Sequence, residues 1–206
     1  IHKLKLFDQD KLETSLDFKL GIKNLLITFH PVTFEKNTSA LQMKELLAAL
    51  DMLEDVHLIF TMSNSDTYGR ILFQMIEDFV KLHTNAKAFT SLGQLHYLSC
   101  IKYVDGVIGN SSSGLTEVPF FKKGTINIGD RQSGRLKAES VIDCMPDKIS
   151  IINAIKKLYS PKFQEKLTAV KNPYGSGGAS EEIVDTLRDT SLEGILKKEF
   201  YDFVQE

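Results

Sequence analysis

The feature that most constrains the fold is a regular alternation of short apolar runs with longer amphipathic segments. Six apolar runs predict buried β-strands, at residues 25–29, 56–61, 86–89, 105–109, 125–128 and 141–142. The segments between them repeat apolar side chains at helical spacing, as Met43, Leu46 and Leu50 do after the first strand. Strands that alternate with helices are joined by right-handed crossovers, which place helices on both faces of a parallel sheet. The pattern therefore predicts an α/β fold, a doubly wound parallel sheet of Rossmann-like type.

The two ends of the chain differ from this repeating middle. Residues 1–23 contain a charged segment and one modest helix, which we interpret as an inter-domain linker or lead-in. Residues 24–190 contain the whole alternating pattern and predict one Rossmann-like domain. Residues 191–206 repeat apolar side chains at helical spacing, which predicts a C-terminal helix.

Composition narrows the classes of function. A formal net charge of −2 gives no electrostatic reason to expect nucleic acid or an anionic membrane as a partner. No apolar run approaches the ~20 residues of a membrane span, and no signal peptide opens the chain, so we expect a cytoplasmic protein without a membrane partner. Cys100 and Cys144 are the only cysteines, too few for a disulfide framework or a zinc site.

Polar segments follow three of the predicted strands at the edge where such sheets bind ligands. His30 follows the first strand, and a histidine there is either a phosphate donor or proton carrier, or a structural residue bonded to a nearby loop. Arg131 and Arg135 follow the fifth strand, where guanidinium groups would suit a diphosphate or would simply be solvated surface residues.

The second of these segments begins at Gly109 and runs from a strand into a helix. Ser111 and Ser112 lie where free backbone N–H groups and small hydroxyls meet, an arrangement typical of anion binding or of simple helix capping. Glu117 lies about one helical turn past Ser113. A carboxylate beside a phosphate suits vicinal ribose hydroxyls, although the helix dipole alone also favours a glutamate there.

Taken in order, these segments resemble the UDP-N-acetylglucosamine 2-epimerases. The resemblance is carried by residues 28–33 (Thr-Phe-His-Pro-Val-Thr), 109–114 with Glu117 and Val118, and 127–135, with further likeness at 64–66 and 174–177. It covers roughly residues 20–190 and is closest to the hydrolysing branch, whose members supply N-acetylmannosamine for sialic-acid-type sugars. It implies a GT-B architecture, of which this chain would be the C-terminal, UDP-binding half.

The resemblance also implies roles for individual residues. Ser111 and Ser112 would bind phosphate, Glu117 would bind the ribose hydroxyls, and the backbone near Leu92 would meet the uracil. His30 and Arg131 would face the diphosphate and act in catalysis, with Arg135 beside them. The family reaction eliminates UDP to form a glycal and then adds water with inversion at C2. It needs no metal and no organic cofactor.

The resemblance also implies a catalytic domain that this sequence does not contain. Family members carry their catalytic Asp and Glu residues in an N-terminal domain, and this sequence starts near the domain junction. We therefore expect the chain alone to bind UDP and UDP-N-acetylhexosamines without turning them over. Its partners would be that N-terminal domain and, in the complete protein, further copies of itself. The alternatives are the C-terminal domain of a GT-B glycosyltransferase and a non-catalytic UDP-sugar-binding module.

Overall fold

The computed structural model describes residues 1, 3–31, 38–62, 69–194 and 196–197. Val32 and Thr33 of the first polar segment, and residues 64–66 of the resemblance, lie outside the described residues. Within the described ranges, no helix is both long enough and apolar enough to cross a membrane.

Six parallel strands form one sheet, as the alternation predicts. They are β1 (Lys23–Thr28), β2 (Val56–Thr61), β3 (Ala86–Phe89), β4 (Gly106–Gly109), β5 (Gly124–Ile128) and β6 (Val141–Cys144). Their order across the sheet is β3-β2-β1-β4-β5-β6, and all five pairings are parallel. The strand order reverses between β1 and β4, and ligands bind at such a switch point in open α/β sheets.

Helices cover both faces of the sheet, which confirms the doubly wound architecture. The helices in the same compact unit as the sheet are α1 (Gln9–Leu16), α2 (Thr38–Leu50), α3 (Gly69–Leu82), α4 (Gly93–Tyr103), α5 (Ser113–Thr116), α6 (Lys148–Leu158) and α7 (Pro161–Leu167), and a second unit contains α8 (Ala179–Asp189). One core cluster joins the sheet to α2, α3, α6 and α7, and a second joins it to α1 and α4.

The strands supply both clusters because successive side chains of a strand point to opposite faces. In β1, Leu25 and Ile27 belong to the first cluster and Leu26 to the second, and all three are at most 1% exposed. A central parallel strand is buried on both faces, which is why the sequence shows an unbroken apolar run here rather than an alternating one.

The apolar pattern after the Ser-rich turn extends through Phe120 and predicts one helix up to that residue, which is wrong in length. The structure has the short α5, which ends at Thr116, and then a 3₁₀ turn over Val118–Phe121. Pro119 lies in the first turn of that 3₁₀ segment and has no N–H to donate to the carbonyl four residues earlier, so the α-helix cannot continue through it. Val118 and Pro119 are nevertheless buried, which explains the apolar pattern.

The two ends of the chain belong to different compact units. Among the described residues, those between 3 and 175 form one unit, and the segment interpreted as a lead-in lies within it, with Leu12 and Leu16 of α1 buried. The described residues between 176 and 197 form a second unit, which contains α8. The chain leaves helical geometry at Thr190, whose backbone is extended, and residues 191–194 are not helical. Gly194 adopts a left-handed φ of 74°. Residue 195 and residues 198–206 of the predicted C-terminal helix lie outside the described part.

Glu13 ties α1 to the segment that enters β1, and it should make stability depend on pH. Its carboxylate pairs with Lys19 at 2.8 Å and accepts hydrogen bonds from the Gln9 amide and the Leu20 N–H. These contacts, that with Lys19 first, lower the pKa of Glu13 from its ordinary 4.5.

The stabilisation by Glu13 is complete above the unfolded-state pKa and is lost as the pH falls through the lower folded-state pKa. We therefore expect Glu13→Gln to flatten the decline in stability below pH 4.5, the ordinary pKa, in urea titrations at stepped pH. Glu54→Gln, at an exposed position, is the control. Parallel pH profiles for wild type and Glu13→Gln would contradict the assignment.

Candidate functional site

The carboxyl ends of β1 and β4 meet at the switch point, where Thr28 pairs with Gly109. Gly109 has a φ of 143°, and a Cβ added there would overlap the carbonyl oxygen of Thr28. Glycine is therefore required, since it lets the two backbones approach closely just before the chain turns into the Ser-rich loop.

Asn110, the next residue, holds the His30 backbone with its side chain. Its Oδ1 accepts from the His30 N–H at 2.7 Å, and its Nδ2 donates to the His30 carbonyl at 2.8 Å. Asn110 is 1% exposed. Its side chain thus extends the pairing of β1 with β4 beyond the last strand residues and fixes where His30 leaves the sheet.

The Asn110 main-chain carbonyl joins the third polar segment to the same point. It accepts from Nη1 of Arg131 at 2.9 Å and from Nε2 of Gln132 at 2.7 Å. Arg131 is exposed, whereas Gln132 is 1% exposed. One residue therefore connects the loops after β1, β4 and β5, and we call Asn110 with His30, Arg131 and Gln132 the Asn110 junction.

The serines begin directly beside this junction. Ser111 and Ser112 are half-buried, and within the described part of the chain their backbone N–H groups donate no hydrogen bond. The Ser113 N–H makes only a long contact of 3.4 Å to the Ser111 hydroxyl. Since α5 has four residues, a helix dipole contributes little here, and the donors available to an anion at this point are these N–H groups, the hydroxyls and the nearby guanidinium.

Glu117 closes the short helix one turn after the serines, as expected from its spacing. Its N–H donates to the Ser113 carbonyl at 2.9 Å. Burial raises the pKa of the Tyr97 phenol of α4, contacts with the Ser113 and Thr28 hydroxyls lower it, and the charge of Glu117 raises it further. The hydroxyls of Tyr97 and Ser113 are both buried.

Arg135 is joined to the junction only through its backbone, and Leu92 makes no hydrogen bond to it among the described residues. Leu92 is the N-cap residue of α4 and is 8% exposed. Arg135 is exposed, and its N–H donates to the Gln132 carbonyl at 3.4 Å. Their assignments to uracil and diphosphate stay predictions.

Asn110, Gln132 and Tyr97 were not singled out from the sequence. The first two lie inside the polar segments, but isolated amide side chains there look like ordinary turn residues. Their role depends on contacts between residues 80 and 22 positions apart, which no local pattern reveals.

A cavity of about 810 Å³ opens beside the site at the ends of β5 and β6. Gly129, Asp130 and Ser133 line one side of it, and residues of α2 and α6 line the other. None of the predicted site residues lines it. Among the described residues, no group of three or more His, Cys, Asp or Glu side chains could hold a metal ion.

A six-stranded sheet of this order, with polar loops gathered at its switch point, defines a doubly wound domain of the kind that forms one half of a GT-B fold. The family follows from the sequence match. Residues 3–188 match the UDP-N-acetylglucosamine 2-epimerase family model, and the chain belongs to that family. The resemblance drawn from the polar segments is therefore confirmed.

Two curated relatives resemble the whole chain. A Campylobacter jejuni protein named GDP/UDP-N,N'-diacetylbacillosamine 2-epimerase (hydrolyzing) is 38% identical over 98% of this chain and 53% of its own length. The polysialic acid biosynthesis protein P7 of Escherichia coli is 36% identical over 97% of the chain and 51% of its length. The chain thus spans about half the length of these relatives.

Solved structures share the fold at low identity. The S. aureus MnaA–UDP complex has a TM-score of 0.68 and 20% identity, covering 91% of this chain and 48% of that one. A sucrose-phosphate synthase from Thermosynechococcus elongatus has a TM-score of 0.54 at 13% identity, covering 89% of this chain and 49% of that one. Epimerases and glycosyltransferases therefore share this architecture.

Proposed function

We propose that this chain is the UDP-sugar-binding half of a hydrolysing UDP-N-acetylglucosamine 2-epimerase. The complete protein would convert UDP-N-acetylglucosamine and water into N-acetylmannosamine and UDP, for the synthesis of sialic-acid-type sugars. The observation that carries the proposal is the Asn110 junction, because one buried residue binds His30 and Arg131 and begins the Ser-rich loop with Ser111 and Ser112. We call this loop the Ser111 loop. The hydrolysing epimerases among the curated relatives support the reaction type.

The diphosphate fits between the Ser111 loop and Arg131. Two successive N–H groups that donate no hydrogen bond among the described residues, at Ser111 and Ser112, would donate to phosphate oxygens. The Arg131 guanidinium lies beside them, 2.9 Å from the carbonyl that precedes them, and its N–H groups would complete the anion site. Glu117, one turn later, would accept from the ribose hydroxyls.

These groups would serve the elimination step. A base removes the C2 proton, the C–H electrons form the C1–C2 double bond, and the C1–O bond breaks so that its electrons leave with UDP. Negative charge therefore grows on the diphosphate in the transition state, where fixed donors stabilise it most. Arg131 and the serine N–H groups are the donors that this chain would supply. His30 would face the same charge or donate a proton to the departing UDP. Water then adds to the glycal with inversion at C2.

The substrate has a second candidate. The Campylobacter jejuni relative is named for an N,N'-diacetylbacillosamine nucleotide, and its similarity covers 98% of this chain. Proton NMR of the products formed by the complete protein from each UDP-sugar would distinguish the two. Release of N-acetylmannosamine supports the first candidate, and release of a diacetylated sugar supports the second.

UDP binding tests the proposal on this chain directly. Glu117→Gln keeps the shape of the side chain but removes its charge, so we expect UDP to bind the variant more weakly by roughly 1–3 kcal/mol, about tenfold or more in Kd. Isothermal titration calorimetry measures the difference. Glu165→Gln, at an exposed position of α7, is the matched control and should bind like wild type. Equal affinity for wild type and Glu117→Gln would refute the ribose role.

A further inference from the structure

Gln132 is buried between two exposed neighbours, Arg131 and Ser133. Its Nε2 donates to the Asn110 carbonyl at 2.7 Å. Because the partner is an acceptor, the amide must present its NH₂ group there, so its orientation is determined. Its Oε1 is buried and has no hydrogen-bond partner among the described residues.

The Asn110 carbonyl therefore uses both of its lone pairs, one for Gln132 and one for Arg131. The two donors differ in how freely their side chains can move, since the Gln132 amide is enclosed by protein and the Arg131 guanidinium is exposed. If Arg131 moves to a ligand, Gln132 still satisfies the carbonyl. Without Gln132, departure of Arg131 would leave a buried carbonyl without a partner, which is costly.

We propose that Gln132 is a positioning residue for Arg131. Gln132 keeps its hydrogen bond to the Asn110 carbonyl whether or not a ligand is bound. Arg131 donates to the same oxygen when no ligand is present, and it can move to the diphosphate without leaving that carbonyl unpaired. The second half of this inference rests on the proposed function, whereas the sharing of one carbonyl by two donors does not.

A stability cycle without ligand tests the sharing. We compare the melting temperatures of wild type, Arg131→Ala, Gln132→Met and the double variant, all in the 206-residue chain. Each single variant leaves one donor on the carbonyl, whereas the double variant leaves none. We therefore expect the double variant to melt lower than the sum of the two single shifts. Additive shifts would overturn the proposal.

Ligand binding tests the release of Arg131. Gln132→Met should weaken UDP about tenfold in Kd and leave uridine unchanged, because uridine has no phosphate for Arg131 to bind. In the Arg131→Ala background the same change should have no further effect on UDP. Gln164→Met is the matched control, because Gln164 also donates to a main-chain carbonyl, that of Leu158 at 2.6 Å.

The outcomes separate the two ideas. Equal losses for UDP and uridine would show that Gln132 only supports the fold, and the proposal would be overturned. Failure of the wild type to bind either ligand would overturn the proposed function instead, and the ligand-free cycle would then decide whether Gln132 is the second donor. A supra-additive cycle together with a loss specific to UDP supports the proposal in full.

Discussion

Gly109→Ala should destabilise the protein by about 4 kcal/mol or more, among the largest effects of a single substitution. Two costs add at this position. A φ of 143° is a conformation that residues with a side chain rarely adopt, and the new methyl group would overlap the Thr28 carbonyl, which is backbone and cannot rotate away. Urea denaturation of the purified chain measures the loss. Insoluble expression would be the extreme form of the same result.

A control at Gly134 separates the cost of the steric overlap with Thr28 from the cost of the unusual backbone conformation. Gly134 also has a left-handed φ, of 76°, but nothing lies within 4 Å of a Cβ added there. Gly134→Ala should therefore cost only the ~1–2 kcal/mol of the left-handed conformation. If both variants were equally stable, β1 and β4 would not meet at Gly109 as described, and the geometry of the switch point would be wrong.

The fold could be predicted from the sequence because hydrophobic periodicity records which face of each element is buried. The interleaved side chains of β1, Leu25 and Ile27 on one face and Leu26 on the other, make one apolar run, and β2 repeats the pattern. Such runs are typical of central parallel strands, so the sheet class followed. The strand order could not be predicted in the same way, because it depends on contacts between distant segments, about which periodicity says nothing.

The errors have local physical causes. The spacing of Ser91 and Gln94 predicts a capping box, which is not formed, since α4 begins after Leu92 and the Ser91 hydroxyl accepts from the Gly93 N–H instead. Pro119 ends the helix that the apolar pattern extended to Phe120. In both places a backbone preference prevailed over a pattern of side chains.

The residues of the site that follow strand ends could be predicted from the sequence. The hydrogen bonds that join these loops to one another could not. His30, Ser111 and Arg131 follow β1, β4 and β5, and parallel strands bring such positions to one edge. Asn110 holds them together through four hydrogen bonds to other loops. These bonds depend on the register of β1 against β4 and on the path of the loop after β5, neither of which the sequence pattern specifies.

Arg131→Ala should reduce kcat of the complete protein by about 10²–10³, the usual effect of losing one donor to a developing negative charge. The charge on the departing diphosphate grows as the C1–O bond breaks, so the guanidinium contributes more in the transition state than in the bound substrate. Proton NMR of product formation measures kcat. Arg131→Lys keeps the charge but not the planar pair of donors, so its kcat should lie between those of wild type and alanine variant.

The same substitution should leave the fold intact, because Gln132 continues to donate to the Asn110 carbonyl when the guanidinium is removed. We therefore expect the free energy of unfolding of Arg131→Ala to stay within ~0.5 kcal/mol of wild type, as at ordinary exposed positions. Arg70→Ala, at an exposed position of α3, should change neither kcat nor stability. An Arg131→Ala protein that keeps its activity but melts many degrees lower would reverse the assignment. Arg131 would then be a structural clamp between the loops after β4 and β5, and the diphosphate would bind through the Ser111 loop alone.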